Sequence, residues 1–382
     1  MALPPTVPYW RLASFYFFYF AGLGVFVPYW GLYLQSNGLD NQAIGEITAA
    51  FLAMRIIAPN FWGWLADSTQ QTMQIVRIIG ITALCIFALF LNADHYYSFL
   101  CIIVLFAFFW DGLLPLFETN TLRHLGEDSH RYSHIRLWGS LGFIIVVVGL
   151  GHLLDYYAAK WIPISFLVIL FSLSLVAWTV PDARQLTHTS PPKLGYYLRQ
   201  PVIIVFFIIC FFNALGHAPY YTFYSLYLAE YDYSGQTIGF LWALGVIAEI
   251  LLFLVIHHWL LRYGIRYILV ASLLLASLRW LLIGHFADQL LILLAAQLLH
   301  AASFAAFHSA AIAWLHHHFS DDAQSRGQAL YSSVSFGLGG GLGSLISGHL
   351  WESHGPTWLF SFSAALTCLA MCLALLALSK NN

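Results

Sequence analysis

Long apolar runs separated by short polar breaks fill the chain from residue 10 to residue 379. A helix needs about 20 apolar residues to cross the hydrocarbon core of a bilayer, which is about 30 Å thick. Runs such as 143–150 and 202–212 are apolar at consecutive positions, which excludes the alternating strands of a membrane β-barrel. We therefore predict an all-α membrane protein with twelve transmembrane helices, at 10–34, 43–65, 73–92, 98–122, 136–156, 161–180, 201–229, 236–257, 266–286, 289–315, 328–350 and 356–379.

The segment 181–200 is the longest polar stretch between two apolar runs. It contains three prolines and three basic residues, a composition typical of a connection rather than of a helix. This segment divides the predicted spans into two sets of six. We expect an N-terminal six-helix bundle at 1–180, a cytoplasmic linker at 181–200 and a C-terminal six-helix bundle at 201–382.

The two halves repeat each other in sequence. Residues 31–45 read GLYLQSNGLDNQAIG and residues 225–239 read SLYLAEYDYSGQTIG, and the two segments align without a gap. A weaker echo joins Gly-His-Leu at 151–153 to Gly-His-Leu at 348–350. The first alignment pairs Gly45 with Gly239 and therefore places Arg55 and Glu249 at equivalent positions. A parallel repeat of two six-helix bundles is the architecture of the major facilitator superfamily, whose substrate site lies between the halves.

Basic residues near the ends of the spans predict the orientation, because lysine and arginine are retained on the cytoplasmic side. Only Lys160 falls in a loop of the opposite set. Both termini should therefore be cytoplasmic, and the first apolar run should be a retained helix because no signal peptide with a basic start precedes it. The basic residues on the predicted cytoplasmic side are Arg123, Arg131, Arg184, Lys193, Arg199, Arg262, Arg266, Arg326 and Lys380.

Composition narrows the class of protein further. Hydrophobic residues make up 60% of the chain and charged residues 8%, against about 25% in soluble domains, which leaves no room for a soluble catalytic domain. A net charge of −2 without a basic run excludes a nucleic-acid partner, so the expected partners are the lipid bilayer, a small-molecule substrate and protons. The five cysteines lie in apolar runs, which argues against disulfides. We expect no cofactor and no metal; residues 316–318, three consecutive histidines, should end a helix in solvent.

Ionisable residues inside spans are functional candidates, since each costs about 3 kcal/mol at the bilayer centre. Asp111 and Glu118 are seven residues apart and share one face of span 4. They face a water-filled cavity or form a buried pair that Arg55 or Arg136 neutralises. Glu249 has no charged neighbour in its span, and burial disfavours its ionised form, so it is the candidate proton carrier. The alternative is a static salt bridge from Glu249 to Arg279 or Arg55.

Histidines and aromatic residues supply the remaining candidates. In span 10, His300 and His308 lie on one face with Gln297, which favours a site over isolated packing histidines. His217 and Tyr224 share a polar stripe in span 7, and Trp30 belongs to an aromatic stripe in span 1. Such rings stack on an aromatic or sugar ring near mid-span, or anchor the protein at the membrane interface when they lie near span ends.

Several short motifs resemble known transporters. Gly63-Trp64-Leu65-Ala66-Asp67 resembles the loop signature of the major facilitator superfamily, in which the aspartate anchors a cytoplasmic gate. The basic residues that normally follow are replaced by Ser68, Gln70 and Gln71, and Arg77 is the candidate substitute. Pro115 to Glu118 and Arg136 to Gly139 resemble the substrate-holding glutamate and arginine of the lactose permease branch, and Arg279 and His300 match that branch in spans 9 and 10.

The closer resemblance is to the phenylpropionate permease family. It rests on residues 136–140 (Arg-Leu-Trp-Gly-Ser), residues 239–249 from Gly-Phe-Leu-Trp to Ala-Glu, Arg279-Trp280, and Leu299-His300 followed by His308. The resemblance implies proton-linked uptake of 3-phenylpropionate or a related aromatic acid across a bacterial inner membrane.

The sequence thus predicts a symporter that works by alternating access. Arg279 or Arg55 would pair with the substrate carboxylate, Glu249 would carry the proton, and Glu118 with Arg136 would form a second polar cluster. Asp111 is a second candidate for proton coupling, and Asp67 and Gly63 are candidates for gating. A sugar or nucleoside symporter, a membrane-embedded enzyme and a non-transporting sensor are the alternatives. The substrate-binding candidates are Trp30, Arg55, Glu118, Arg136, His217, Tyr224, Arg279 and His300.

Overall fold

A computed structural model describes residues 7–183, 194–320 and 323–378 of the chain. Within these ranges it contains 12 helices that are long and apolar enough to cross a membrane, which confirms the predicted all-α membrane architecture. Their bounds lie within a few residues of the predicted ones. We number them α1 (Tyr9–Ser36), α2 (Asn41–Thr69), α3 (Thr72–Asn92), α4 (Tyr96–Leu125), α5 (Tyr132–Leu154), α6 (Trp161–Thr179), α7 (Pro201–Glu230), α8 (Gly235–Phe253), α9 (Ile265–His285), α10 (Leu290–His318), α11 (Gln324–His354) and α12 (Pro356–Ala377).

The repeat that is visible in the sequence marks equivalent helix starts. Asp40 precedes α2, and its Oδ1 accepts a hydrogen bond from the backbone N–H of Ala43 at 2.8 Å. Ser234 precedes α8 at the equivalent position, and its Oγ accepts from the N–H of Thr237 at 3.1 Å. Each side chain satisfies one of the N–H groups that a helix leaves unpaired at its start.

The end of α8 is the main departure from the predicted spans. We predicted that span 8 runs to residue 257, but α8 ends at Phe253 and a separate short helix follows at Ile256–Tyr263. The backbone turns at residues 254–255, and His257 and His258 lie exposed on the short helix that follows. Of the predicted linker, residues 184–193 lie outside the described residues; Arg184 and Lys193 fall among them, as Lys380 does at the end of the chain.

Neighbouring helices pack into an N-terminal set and a C-terminal set. In the first set α1 packs against α5 and α6, and α4 packs against α2 and α3. In the second set α12 packs against α7 and α9, and α10 packs against α8 and α9. The two sets meet where α2 contacts α11, α5 contacts α8 and α1 contacts α7. Outward-facing leucines such as Leu251 and Leu376 are exposed, as expected of surfaces that face lipid.

Glycines allow the two sets to approach closely at the end of the molecule that carries the α1–α2 loop. A Cβ atom on Gly45 would lie 2.6 Å from the carbonyl oxygen of Ser344, and one on Gly151 would overlap the carbonyl oxygen of Gly235. Nearer the middle, a Cβ on Gly337 would lie 2.5 Å from Cγ1 of Ile56. The glycine-rich segment of α11 therefore serves close helix packing, as its position inside a span indicated.

Candidate functional site

A cavity of about 280 Å³ lies between the two sets of helices, near the lower end of small-molecule sites, which span roughly 300–1,000 Å³. Residues of α1 and α2 line one side of it, and residues of α7, α10 and α11 line the other. Most of the wall is apolar and much of it is aromatic. The aromatic residues that line the cavity are Phe26, Trp30, Phe51, Tyr221, Phe304, Phe307, Tyr331 and Phe336.

Local irregularities in two helices bring several of these rings to the cavity. The backbone is π-helical at Ala301–Ala306 in α10 and at Ser333–Gly339 in α11. These segments carry Phe304, Ser335 and Phe336, all of which line the cavity. π-helical turns are rare and occur frequently at functional sites, because the extra residue turns side chains away from the regular helical face.

Arg55 places a guanidinium group at the cavity wall. Its Nε lies 3.5 Å from Oδ1 of Asp111 on α4, and its side chain is 28% exposed whereas that of Asp111 is 5% exposed. Its Cζ lies 5.6 Å from the centre of the Phe51 ring. The other carboxylate oxygen of Asp111, Oδ2, has no hydrogen-bond partner among the described residues. Of the two sequence-based alternatives for Asp111, the structure shows the pair with Arg55.

Four buried polar atoms on cavity-lining side chains have no hydrogen-bond partner within the described ranges: Trp30 Nε1, Asn213 Oδ1, His217 Nε2 and Ser335 Oγ. The Nδ1 of His217 lies 2.7 Å from the carbonyl oxygen of Asn213, which can only accept, so Nδ1 carries a proton. In the neutral ring, Nε2 then presents a lone pair. Burying such groups without partners costs about 1–3 kcal/mol each, which a polar ligand in the cavity would recover.

A polar cluster that includes Glu249 and His300 lies inside the C-terminal set. Nε2 of His300 lies 3.6 Å from Oε2 of Glu249, and both side chains are largely buried. We expected Glu249 to lack a partner within its own span, and the structure shows that α10 supplies one. The ring of His300 also stacks on Phe304, with ring centres 5.4 Å apart, which connects this pair to the cavity wall.

Arg279 lies in the same cluster and is fully buried. Its Nε donates to the carbonyl oxygen of Ala296 at 3.0 Å, and its guanidinium Cζ lies 4.1 Å from the centre of the Tyr220 ring and 4.7 Å from that of Trp280. It is not one of the described residues that line the cavity. A static salt bridge from Arg279 to Glu249 does not form in the part of the chain that the structure describes, where His300 takes that position.

Glu118 and Arg136 do not form the ion pair that we expected. Glu118 instead accepts a hydrogen bond from the hydroxyl of Tyr132 at 2.7 Å. The guanidinium Cζ of Arg136 lies 3.6 Å from the centre of the Phe20 ring, where a cation is attracted by the face of the π system. Tyr132 on α5 thus contacts Glu118, and Phe20 on α1 contacts Arg136, in place of the expected ion pair. Tyr224 is fully buried beside Tyr220, outside the cavity wall, with ring centres 4.8 Å apart.

The gating candidates lie at the opposite end from the α1–α2 loop. Asp67 is exposed at the end of α2, and its Oδ1 lies 4.0 Å from Nη2 of Arg123 on α4. Arg77, the expected partner, instead donates to the carbonyl oxygen of Val180 at 2.8 Å and so caps the end of α6. A Cβ on Gly63 would meet nothing within 4 Å, so packing in this conformation does not require a glycine there.

Sequence reasoning brought out Arg55, His217 and Trp30, which line the cavity, but missed several other lining residues. Asn213 lies one helical turn before His217 but was not a candidate by itself, and Phe51 and Ser335 were not singled out. Phe51 lies one helical turn before Arg55, a signal that the spacing offered. Ser335 lies in a π-helical segment, whose altered phase is not visible in the sequence.

Comparisons with known proteins agree with this architecture. The model of the MFS_1 like family matches residues 9–362. A probable 3-phenylpropionic acid transporter of Escherichia coli is 26% identical over 92% of this chain and 94% of its own. Maltose permease of Geobacillus stearothermophilus is 27% identical over 96% of this chain and 94% of its own.

Among solved structures, a variant of the nucleoside transporter NupG superposes with a TM-score of 0.89 at 17% identity, over 97% of this chain and 100% of that one. This likeness confirms the fold. The chain therefore belongs to the MFS_1-like family of the major facilitator superfamily and is a multi-pass membrane transporter, as the motifs that resemble phenylpropionate permeases indicated.

Proposed function

We propose that this protein is a proton-coupled symporter that carries a small aromatic carboxylic acid, such as 3-phenylpropionate, across a bacterial inner membrane by alternating access. The observation that carries the proposal is the position of Arg55, a guanidinium at the wall of an otherwise aromatic cavity between the two sets of helices. A flat apolar ring with one carboxylate matches that wall in both shape and charge.

The substrate carboxylate would bind Arg55 in competition with Asp111. The existing contact is a single one at 3.5 Å, which is longer than the roughly 2.7–2.9 Å of a strong charge-assisted hydrogen bond. A carboxylate that enters the cavity can therefore approach the guanidinium without breaking a tight bidentate pair. The aromatic ring would then lie among Phe26, Trp30 and Phe51 on the side of α1 and α2, with His217 facing it from α7.

The proton would reside on the Glu249–His300 pair. The carboxyl of Glu249 and the imidazole of His300 lie 3.6 Å apart and each can hold a proton and release it, whereas Asp111 faces a guanidinium that keeps its protons. The ring of His300 stacks on Phe304 of the cavity wall, so substrate binding there would act on this pair. Glu118, hydrogen-bonded to Tyr132, would remain outside this exchange, and Asp111 would respond to the substrate rather than to the proton.

The conformation described here is closed at the end that carries the α1–α2 loop. Because the distribution of basic residues predicts cytoplasmic termini, that end would face the periplasm, and its closure would correspond to an inward-facing conformation. Arg279 would act from behind the wall by holding Tyr220 and Trp280 in place, and Asp67 would act when the cytoplasmic ends of the two sets approach each other.

A neutral nucleoside or sugar is the second candidate substrate. The four unpartnered polar atoms on the cavity wall favour it, because a hydroxyl-rich ligand would satisfy more of them than one carboxylate can. Transporters of both classes are among the proteins that resemble this chain.

Ligand binding to the purified protein separates these candidates. We would titrate it with 3-phenylpropionate, with the neutral isostere 3-phenylpropanamide, with uridine and with maltose. We expect the acid to bind at least about tenfold more tightly than the amide, because only the acid forms a charge-assisted bond with Arg55. Equal affinity for acid and amide, or tighter binding of uridine or maltose, would overturn the aromatic-acid assignment in favour of the neutral substrate.

A further inference from the structure

We propose that Asp155 and Glu352 are a matched pair of latches that hold the transporter closed on the side of the α1–α2 loop. Each carboxylate projects from the end of a helix in one half and binds the start of a helix in the other half. The inference requires that the two halves move apart during transport, and its test uses the periplasmic position of the α1–α2 loop that the basic residues predict. It does not depend on which substrate is carried or on whether protons drive the cycle.

The first latch joins α5 to α8. Asp155 directly follows α5, and its two carboxylate oxygens accept hydrogen bonds from the backbone N–H groups of Gly235 at 2.5 Å and Gln236 at 3.1 Å. These N–H groups belong to the first turn of α8, where they have no partner inside the helix and where the helix dipole is positive. The carboxylate of one half thus caps a helix of the other half.

The second latch joins α11 to α2. Oε1 of Glu352, in the last turn of α11, accepts hydrogen bonds from the backbone N–H and from the Nδ2 of Asn41, both at 3.0 Å. Asn41 is the first residue of α2. The geometry therefore repeats that of the first latch: an acidic side chain at the end of one helix satisfies the free N–H group at the start of a helix across the interface.

The two latches occupy equivalent positions in the sequence repeat. Residues 151–155 read GHLLD and residues 348–352 read GHLWE, so Asp155 corresponds to Glu352. The alignment of 31–45 with 225–239 independently pairs Asn41 with Gly235. The internal repeat thus relates the acceptor Asp155 to Glu352 and the donor Gly235 to Asn41. It also extends the Gly-His-Leu echo to the acidic residue two positions later.

Each repeat also places its glycine and its histidine in the interface. Gly151 contacts Gly235, and Gly348 lies so close to Asn41 that a Cβ would be 2.7 Å from its carbonyl oxygen. Nδ1 of His152 lies 3.3 Å from Oε1 of Gln236, and Nε2 of His349 lies 3.9 Å from Oε1 of Glu46. The glycine permits the close approach of the two helices, and the acidic residue stabilises this approach by hydrogen bonds across the interface.

The hydrogen bonds of Asp155 and Glu352 are weak enough to break in every transport cycle. Both carboxylates are exposed, so solvent and salt weaken each of the hydrogen bonds that they accept. Such contacts stabilise a closed state without making it permanent. Opening the cavity on this side must break both of them, because they lie at two separate helix pairs that join the halves, α5–α8 and α2–α11.

Site-directed thiol labelling tests this directly. Thr48 lines the cavity, and Thr48→Cys, in a background whose five native cysteines are replaced, reports access from one side of the membrane. The test variant combines two isosteric substitutions, Asp155→Asn and Glu352→Gln, and so removes both charges. The control variant carries Asp94→Asn alone. Asp94 is an exposed carboxylate at the same end of the molecule, and its ion pair is with the neighbouring His95.

In right-side-out vesicles without substrate, we expect a membrane-impermeant maleimide to label the double variant several-fold faster than the parent, and the control at the parent rate. We expect each single variant to have an intermediate effect. In inside-out vesicles the double variant should label more slowly than the parent, which also distinguishes a shifted equilibrium from general loosening. Parent-like labelling of the double variant, and of the stronger Asp155→Ala with Glu352→Ala variant, would overturn the proposal.

Discussion

At the scale of single residues, each half contains an acid–base pair between its second and fourth helices, and the two pairs have opposite polarity. In the N-terminal half the cation, Arg55, lies on the second helix and the anion, Asp111, lies on the fourth. In the C-terminal half the anion, Glu249, lies on the second helix and His300 lies on the fourth. The sequence identified the charged residues because burial makes each one costly. It named Arg55 as one of two candidate partners of Asp111 but did not name His300 as the partner of Glu249, because contacts between spans depend on how each helix is rotated about its axis.

The Glu249–His300 pair leads to a prediction about proton coupling. A carrier that moves protons with its substrate must release the proton before it reorients empty, so Glu249→Gln should abolish accumulation while loaded carriers still exchange substrate across the membrane. Both rates are measured in proteoliposomes with radiolabelled substrate. Glu118→Gln is the matched control and should retain at least part of the accumulation. If the Glu249 variant still concentrates substrate and the Glu118 variant does not, the proton carrier has been assigned to the wrong helix.

Arg55 leads to a prediction about substrate charge. We expect Arg55→Gln, combined with Asp111→Asn so that no unpaired carboxylate stays buried, to reduce the acid-to-amide affinity ratio about tenfold or more. Arg279→Gln is the control: it removes a buried arginine of the C-terminal set that does not line the cavity, so the ratio should persist even if the protein is less stable. If the acid-to-amide affinity ratio falls only in the Arg279 variant, the substrate carboxylate binds Arg279, which was the other candidate from the sequence.

At the scale of helices, the sequence predicted the positions of all twelve spans because each requires an apolar run of fixed length. It missed the early end of α8, and it offered no sign of the π-helical segments in α10 and α11, since these arise from packing rather than from composition. Which glycines contact a neighbouring helix depends on the helix pairing, which the sequence does not show.

Two glycines of α5 test that pairing. A Cβ on Gly142 would overlap the carbonyl oxygen of Phe17 on α1, whereas a Cβ on Gly149 would meet nothing within 4 Å. We expect Gly142→Val to lower the free energy of unfolding by about 1–3 kcal/mol, the usual cost of overpacking, and Gly149→Val to be nearly neutral. Thermal unfolding of the two purified variants in the same detergent measures the difference. Equal stability of the two variants would mean that α1 and α5 do not pack as described.

The end of α2 leads to a prediction about gating. The Asp67–Arg123 contact is long and Asp67 is 72% exposed, so it should contribute less than about 1 kcal/mol to this conformation. Its role would then lie in the opposite conformation, where the cytoplasmic ends approach. Asp67→Asn should slow transport without changing equilibrium binding, as measured by initial uptake rates and by titration of the purified protein. A variant with normal uptake rates would show that the altered signature has lost this role.

At the scale of the whole molecule, two halves related by a sequence repeat enclose one cavity and close it at one end. The repeat predicted the six-plus-six arrangement and the family, because paired bundles with a site between them are a known architecture. It did not predict which end is closed, because a symmetric pair of bundles can close at either end. That choice depends on contacts such as those of Asp155, whose partners lie 80 and 81 residues away along the chain, and of Glu352, whose partner lies 311 residues away.

Accumulation of 3-phenylpropionate in proteoliposomes under an imposed proton gradient tests the central claim most directly. An inward gradient of about one pH unit is worth about 1.4 kcal/mol and supports about tenfold accumulation in one-to-one symport. Because the protonated acid also permeates lipid, uptake must be compared with protein-free liposomes and with the Glu249→Gln variant. We expect saturable uptake that is fast, is abolished by a protonophore and exceeds both controls. Uptake no faster than in protein-free liposomes, while uridine or maltose accumulates instead, would contradict the assignment.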